Sequence, residues 1–90
     1  FILTKLMGFY VQAEYKTSYG RIDLLIATDK YVYVIEIKID STPEEALRQI
    51  NDKEYSLPFT AGAREVIKIG ANVSREKRNL ESWIVERIEN

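Results

Sequence analysis

Two carboxylates and a lysine occupy stretches of the sequence that are otherwise apolar and strand-like. Glu36 and Lys38 interrupt the run YVYVIEIKID over residues 31–40, and Asp23 interrupts RIDLLI over residues 21–26. A buried charge is costly unless it is paired or binds a metal ion. Carboxylates are the ligands that hard divalent cations prefer. These residues are therefore the first candidates for chemistry.

A structural ion pair at the end of a strand is the alternative explanation for Glu36 and Lys38. Such pairs are far more common than active sites, and a lone Glu-x-Lys carries little information. Asp23 weakens this alternative, because it is a second carboxylate inside a run that also has the pattern of a buried strand.

The run over residues 31–40 predicts a central strand that is buried on both faces. Side chains alternate between the two faces of a strand, so Glu36 and Lys38 share one side with Val32 and Val34. Alternating patterns over residues 9–17 and 21–28, separated by turn residues, predict two preceding strands. Three consecutive antiparallel strands result, and their pairing brings Asp23 near Glu36 if both side chains face the same way.

A helix is predicted to follow the central strand, because Thr42 can cap it, Pro43 suits its first position and Glu45 completes a capping box. The helix is expected to run to about residue 55. Gln49 and Lys53 lie one turn apart on its flank, beside the buried stripe. A solvated helix face is the alternative for both residues, and it is at least as good for Lys53.

The remaining segments predict one more helix and two more strands. Residues 1–7 have apolar residues at helical spacing followed by Gly8, so we expect a helix there, truncated at its N-terminus because no capping residue precedes it. Residues 65–70 predict a short strand closed by glycine and parallel to the central strand. Residues 71–79 predict a polar connection, and residues 80–88 a final edge strand.

Composition excludes several kinds of chemistry. The 90 residues suit one small domain, residues 1–90, and include neither cysteine nor histidine, which removes disulfides, thiolate zinc sites and histidine acid–base catalysis. Carboxylates with hard cations remain. We see no signal peptide, lipid anchor or spanning segment, so we expect a soluble, cytoplasmic protein with no membrane partner.

The charge pattern limits how the chain could bind nucleic acid. The net charge of −1 argues against a broad basic surface, so any contact must come from a local cluster or from a partner. Arg75, Lys77 and Arg78 form the densest basic cluster. A solvated loop is the simpler explanation of this cluster, and phosphate contact is the alternative.

Together these residues resemble the PD-(D/E)xK nuclease superfamily. The similarity is carried by Gly-Arg-Ile-Asp at residues 20–23, by Glu-Ile-Lys at residues 36–38 and by a helix bearing Gln49. It implies an α/β, restriction-endonuclease-like fold with an α-β-β-β-α-β core, in which helices flank a mixed, mainly antiparallel sheet. More narrowly, the chain resembles the small nuclease-like domain at the C-terminus of bacterial proteins that begin with an AAA-ATPase-like domain.

The resemblance implies a metal-dependent nuclease that hydrolyses phosphodiester bonds, with DNA as the expected substrate. Asp23, Glu36 and the main-chain carbonyl of Ile37 would bind Mg²⁺ or Mn²⁺. Lys38 would act on the attacking water or stabilise the transition state, and Gln49 would reach the metal or substrate from the helix. An AAA-ATPase-like domain is the implied partner.

The chain also departs from the family pattern. Many members carry a further acidic residue on the first helix, but residues 1–7 contain none, and Glu14 is the nearest substitute. The alternative is a catalytically inactive module of the same fold, used for nucleic-acid binding or subunit association. A homodimer that buries Trp83 is a further expectation, compatible with both.

Overall fold

A computed structural model describes residues 3–6, 9–18 and 20–88, with only the backbone described for residues 3–6. This part of the chain forms strands β1 (Leu3–Leu6), β2 (Phe9–Thr17), β3 (Gly20–Ala27) and β4 (Tyr31–Ile39), then helix α1 (Pro43–Asp52), a short 3-10 helix (Leu57–Phe59), and strands β5 (Glu65–Ser74) and β6 (Asn79–Ile88). The strands form one sheet in the order β1 to β6. Neighbours are antiparallel except β4 and β5, which are parallel. The α/β class and the mixed, mainly antiparallel sheet are confirmed.

The predicted first helix is wrong for Leu3–Leu6, which form a strand at the edge of the sheet. Leu3 lies opposite Gln12 and Leu6 lies opposite Phe9 in an antiparallel ladder. A short apolar run fits a helix and a strand equally well by periodicity, and here pairing with the edge of β2 satisfies the backbone. The α-β-β-β-α-β order is therefore not present in the described residues. Residues 1, 2 and 7, which the prediction also covered, lie outside the described part of the chain.

The three antiparallel strands predicted upstream of α1 are present as β2, β3 and β4. The β2–β3 turn is closed by the hydroxyl of Thr17, which donates to the carbonyl of Gly20 at 2.8 Å. Gly20 has φ 135, a conformation that L side chains rarely adopt, so glycine suits this position. The ladder between β3 and β4 pairs Leu24 with Ile35.

Helix α1 begins as its capping sequence predicts. Thr42 Oγ1 accepts a hydrogen bond from the Glu45 amide at 3.1 Å, and Pro43 occupies the first helical position. The helix ends at Asp52, earlier than residue 55. Its inward stripe is fully buried at Ala46 and Ile50.

Strand β5 is longer than predicted, because Gly70 lies within it and does not close it. A Cβ placed on Gly70 would lie 2.6 Å from the amide nitrogen of Leu47 and would also collide with the carbonyl of Pro43. Helix α1 therefore lies directly against the backbone of β5 at Gly70. The predicted polar connection is wrong for residues 71–74, which belong to β5. The polar side chain of Asn72 has a structural role there, because its Oδ1 accepts a hydrogen bond from the Ser41 amide at 2.8 Å. The final strand, β6, is confirmed.

The two faces of the sheet differ sharply. The face beneath α1 contains a buried apolar cluster comprising Ile22, Leu25, Val32, Val34, Ile50, Tyr55 and Val66. The opposite face is apolar but uncovered by any described element, and it is lined between β2 and β6 by residues that include Phe9, Val11, Ile26, Tyr33, Ile35, Ile37, Ile69, Ala71, Val73, Leu80 and Trp83. We call it the open face. Helix α1, within the described residues, is too short and too polar to cross a membrane.

Candidate metal and catalytic centre

Asp23 and Glu36 lie side by side on β3 and β4. Leu24 is opposite Ile35 in the antiparallel ladder, and continuing this register places Asp23 opposite Glu36. Asp23 Oδ2 accepts a hydrogen bond from the Ile37 amide at 2.8 Å, which holds the carboxylate against β4 where the β3–β4 ladder ends. The two carboxyl groups therefore share the face of the sheet that α1 covers.

Glu36 is a buried carboxyl group with one unsatisfied oxygen. Its residue is 4% exposed, its Oε2 accepts from Gln49 Nε2 at 2.6 Å, and its Oε1 has no hydrogen-bond donor among the described residues. Burial raises the pKa of Glu36 from 4.5 to about 7. The negative charge of Asp23 and a hydrogen bond between the protonated carboxyl group and Asp23 add to the increase, while Lys38 and Arg21 oppose it. A buried carboxyl with this pKa and an open ligand position is unusual for a purely structural residue.

Gln49 joins Glu36 to Lys38. Its Nε2 donates to Glu36, and its Oε1 accepts from the ammonium of Lys38. The side chain can reach both because it lies next to the buried Ile50, on the flank of α1 that faces β4. Lys38 and Glu36 are thus linked through an amide, and the simple Glu–Lys ion pair considered above is not what the structure contains.

Tyr55 is a residue of the site that the sequence interpretation missed. It is buried, and its hydroxyl oxygen lies 3.4 Å from Gln49 Nε2. Its ring also packs against Gly20, the residue that opens β3. The hydroxyl of a buried tyrosine usually has a hydrogen-bond partner. In the sequence, a tyrosine within an otherwise polar segment was the available indication of this role.

Glu14 does not join Asp23 and Glu36. Its carboxylate is largely exposed and lies 3.5 Å from the guanidinium of Arg21. Glu14 has φ 55, and the β2–β3 register omits the pair that Glu14 and Asp23 would make. Irregularities of this kind bend a strand and redirect its side chains, and they are common beside active sites.

The chemistry of the donor atoms fits a hard divalent cation. No group of three or more Asp, Glu, His or Cys suited to a metal occurs within the described residues. The amide and carbonyl of one strand residue point the same way, so the Ile37 carbonyl faces the same side as its amide, which binds Asp23. Proteins usually hold Mg²⁺ through one or two carboxylates, and water molecules fill the remaining coordination positions. The two carboxylates, including Glu36 Oε1, and the Ile37 carbonyl match this pattern.

A pocket of about 310 Å³ opens beside this cluster and is lined by Lys38, Glu45, Arg48, Gln49, Asp52 and Lys53. Lys38 and Gln49 belong to both the buried cluster and the pocket. The pocket therefore adjoins the candidate centre through these two residues, while Asp23 and Glu36 do not line it. Lys53 lines its outer part and is exposed.

The α/β sheet, with paired carboxylates and a lysine on neighbouring strands, can be compared with known protein families. The family model described as the PD-(D/E)XK nuclease superfamily matches residues 1–83, and the chain belongs to this superfamily. Its nucleases generally use divalent metal ions.

A similar protein is known from Azotobacter chroococcum mcd 1. It bears the description "Uncharacterized protein in vnfD 5'region" and is 33% identical over 84 residues. The match covers 91% of this chain but 16% of that relative, so the chain spans about a sixth of the relative's length. No solved structure matches the chain.

Proposed function

We propose that this chain is a metal-dependent nuclease domain that hydrolyses phosphodiester bonds in DNA, with Mg²⁺ or Mn²⁺ as its cofactor. The observation that carries the proposal is the buried Glu36 oxygen Oε1, which has no hydrogen-bond donor among the described residues and lies on a carboxyl group beside the carboxylate of Asp23. An unsatisfied buried oxygen costs about 1–3 kcal/mol. Binding of a cation offsets that cost, and Asp23, Glu36 and the Ile37 carbonyl would be its protein ligands.

A divalent cation bound there would lower the pKa of a water molecule and stabilise the charge that develops on phosphate. The protein's own residues provide position and charge. Lys38 presents an ammonium group at the junction of the centre and the pocket, where it can orient the attacking water and stabilise negative charge. Gln49 holds Lys38 and Glu36 at a fixed spacing, because one amide bonds to both.

Calorimetry with Mg²⁺ and Mn²⁺ tests the metal site directly. We expect binding to the chain, and at least tenfold weaker binding by Asp23→Asn and Glu36→Gln, because each variant removes one charged ligand. Asp29→Asn is the matched control, since Asp29 is an exposed carboxylate in the β3–β4 turn at the other end of the sheet. Absence of binding at millimolar metal, or equal loss in the control, contradicts the proposal.

The domain is further proposed to act within a longer polypeptide, with an AAA-ATPase-like domain as its partner. The size of the relative supports the longer polypeptide, because 84 matched residues make up 16% of it. The ATPase partner rests on the sequence resemblance alone. A longer protein that contains this domain should hydrolyse DNA faster with ATP than without it. Equal rates under both conditions would speak against coupling to an ATPase.

A second candidate function is that of a catalytically inactive association module, and the open face supports the association but does not bear on catalysis. Trp83 is 59% exposed and Ile37 is 39% exposed there. Neighbouring strands lie about 4.8 Å apart and rise about 3.3 Å per residue, so the open face across the five strands β2 to β6 has an area on the order of 500 Å². Two such faces together bury roughly the 1,000 Å² that a specific interface needs, so a second copy of the chain is the proposed occupant.

Light scattering after gel filtration tests this association. A dimer that Ile37→Lys converts to a monomer supports it, and a monomer at 100 μM, about a hundred times a micromolar dissociation constant, excludes it. Nuclease assays on the same samples separate the two candidate functions. Association without hydrolysis favours the module, whereas hydrolysis favours the enzyme whatever the oligomeric state.

A further inference from the structure

The turn between β5 and β6, residues 75–78, lies at the end of the sheet where β4 also ends. Three of its four side chains are cationic, and the fourth is the carboxylate of Glu76. Asp40, which follows β4, donates its amide to the Val73 carbonyl at 2.9 Å. Its carboxylate then accepts from the Arg75 amide at 3.0 Å. These two hydrogen bonds fix the turn to the segment that follows Lys38.

We propose that this turn, which we call the basic turn, binds backbone phosphates of the nucleic acid whose scissile bond lies at the candidate centre. The proposal rests on the proposed function for the position of the scissile bond, but not for the binding itself. It deepens that function by naming a substrate-binding surface outside the Asp23–Glu36–Lys38 cluster.

The distance along the sheet suits neighbouring phosphates. Lys38 lies opposite Asn72 in the parallel ladder, and Arg75 is three residues further on. Three extended residues span about 10 Å. A nucleic-acid strand with one phosphate near Lys38 would therefore bring another phosphate of the same strand, within a few nucleotides, close to the basic turn.

The charges of the basic turn remain available for a ligand. Arg75 is 79% exposed at its side chain, and its Nε is 3.9 Å from Asp40, a long contact for an ion pair. Lys77 pairs with Glu81 at 3.1 Å on the surface, where such pairs contribute little. Arg78 has no ion-pair partner within residues 9–18 and 20–88.

The backbone of Arg78 provides a way to change this residue without destabilising the turn. Ser74 pairs with Asn79, so the four residues 75–78 form the hairpin loop, and Arg78 has φ 52. Glycine or asparagine suits this left-handed position, whereas most other residues carry a cost of about 1 kcal/mol. Glu14, Asp40 and Glu54 also have φ between 51 and 55, so this conformation is not special to the basic turn.

The test measures DNA binding without hydrolysis. Fluorescence anisotropy with a labelled 16-base-pair duplex in EDTA compares the chain with a variant carrying Arg75→Gln, Lys77→Gln and Arg78→Gln. We expect the variant to bind DNA at least tenfold more weakly than the original chain. The slope of log K against log[salt] should be smaller in magnitude by about 2 to 3. The control carries Lys30→Gln and Arg64→Gln, two exposed cations at the opposite end of the sheet, and should change less than twofold.

Arg78→Gly guards against misfolding as an explanation. Glycine relieves the left-handed strain, so the variant should be at least as stable as the original chain while it binds DNA more weakly. Equal loss in the basic-turn variant and the control, or no DNA binding by the original chain, overturns the proposal. Failure of the proposed function is a different result, because a domain that binds DNA through this turn and hydrolyses nothing leaves the present inference intact.

Discussion

The hydroxyl oxygen of Tyr55 lies 3.4 Å from Nε2 of Gln49, the same nitrogen that donates to Glu36. Tyr55 also packs against Gly20 at the start of β3. One buried ring thus contacts the strand that carries Asp23 and the amide that joins Glu36 to Lys38. Tyr55 is in a position to keep the two sides of the candidate centre in register.

Replacing Tyr55 with phenylalanine should reduce hydrolysis while leaving the fold intact. The variant loses one hydrogen-bonding partner of Gln49 but keeps the packing against Gly20, so we expect a loss of about 1 kcal/mol in unfolding free energy and a few-fold lower rate. Urea denaturation and a nuclease assay measure the two effects. Tyr31→Phe, near the other end of β4, is the control, and equal rate losses in both variants would refute a specific role for Tyr55.

The raised pKa of Glu36 predicts an unusual dependence of stability on pH. The folded state holds this proton up to about pH 7, whereas the unfolded chain releases it near 4.5. Glu36 therefore stabilises the fold most below pH 4.5, and that contribution declines as the pH rises to 7, by about 3 kcal/mol in total.

Urea titrations in chelator-treated buffer check this dependence, with Glu36→Gln as the reference because glutamine keeps the shape and cannot titrate. The unfolding free energy of the original chain minus that of the variant should fall between pH 4.5 and 7 and level off above 7. A difference that stays constant or rises over this range would show that Glu36 titrates normally.

Lys38→Met should separate metal binding from catalysis. The substitution keeps the length of the side chain but removes its charge, while Asp23 and Glu36 remain. We expect calorimetric Mg²⁺ affinity within a few-fold of the original and a hydrolysis rate lower by about 10²-fold or more. Lys53→Met, on the outer part of the same pocket, is the control. If both variants lose activity equally, the pocket binds substrate but Lys38 has no special role.

Gly70→Ala should destabilise the fold strongly. The added methyl group would lie 2.6 Å from the Leu47 amide nitrogen, against backbone that cannot rotate away. Helix α1 must then shift from β5, and we expect a loss above about 2 kcal/mol, as for other overpacked positions. Gly62→Ala is the control, because its nearest neighbour would be 3.9 Å away and the substitution should be neutral or mildly stabilising. Equal stability of the two variants in urea denaturation would contradict this account of Gly70.

The proximity of Asp23 and Glu36 could be predicted from sequence because it needs only strand alternation and one hairpin. Both rules are local, and the β3–β4 ladder obeys them. The helix cap at Thr42 is equally local, and it was predicted correctly.

The features that were missed depend on contacts between distant parts of the chain. The strand Leu3–Leu6 is determined by the available edge of β2, which its own apolar pattern does not reveal. Gly70 was taken as a strand end because sequence shows only that a side chain is absent, whereas the cause is the helix that crosses above it. Tyr55 reaches Gln49 and Gly20 because of the turn that precedes it. The periodic patterns that predict helices and strands do not predict the path of a turn.

Trp83 gives the chain a built-in optical probe of the open face. It is the chain's single tryptophan, and it is 59% exposed among the isoleucines and the leucine of that face. Its emission should shift to shorter wavelengths whenever another surface excludes water from this face. Metal bound at the candidate centre should leave the emission wavelength unchanged, since the sheet lies between the centre and Trp83. One fluorescence spectrum can thus distinguish metal binding at the centre from association through the open face.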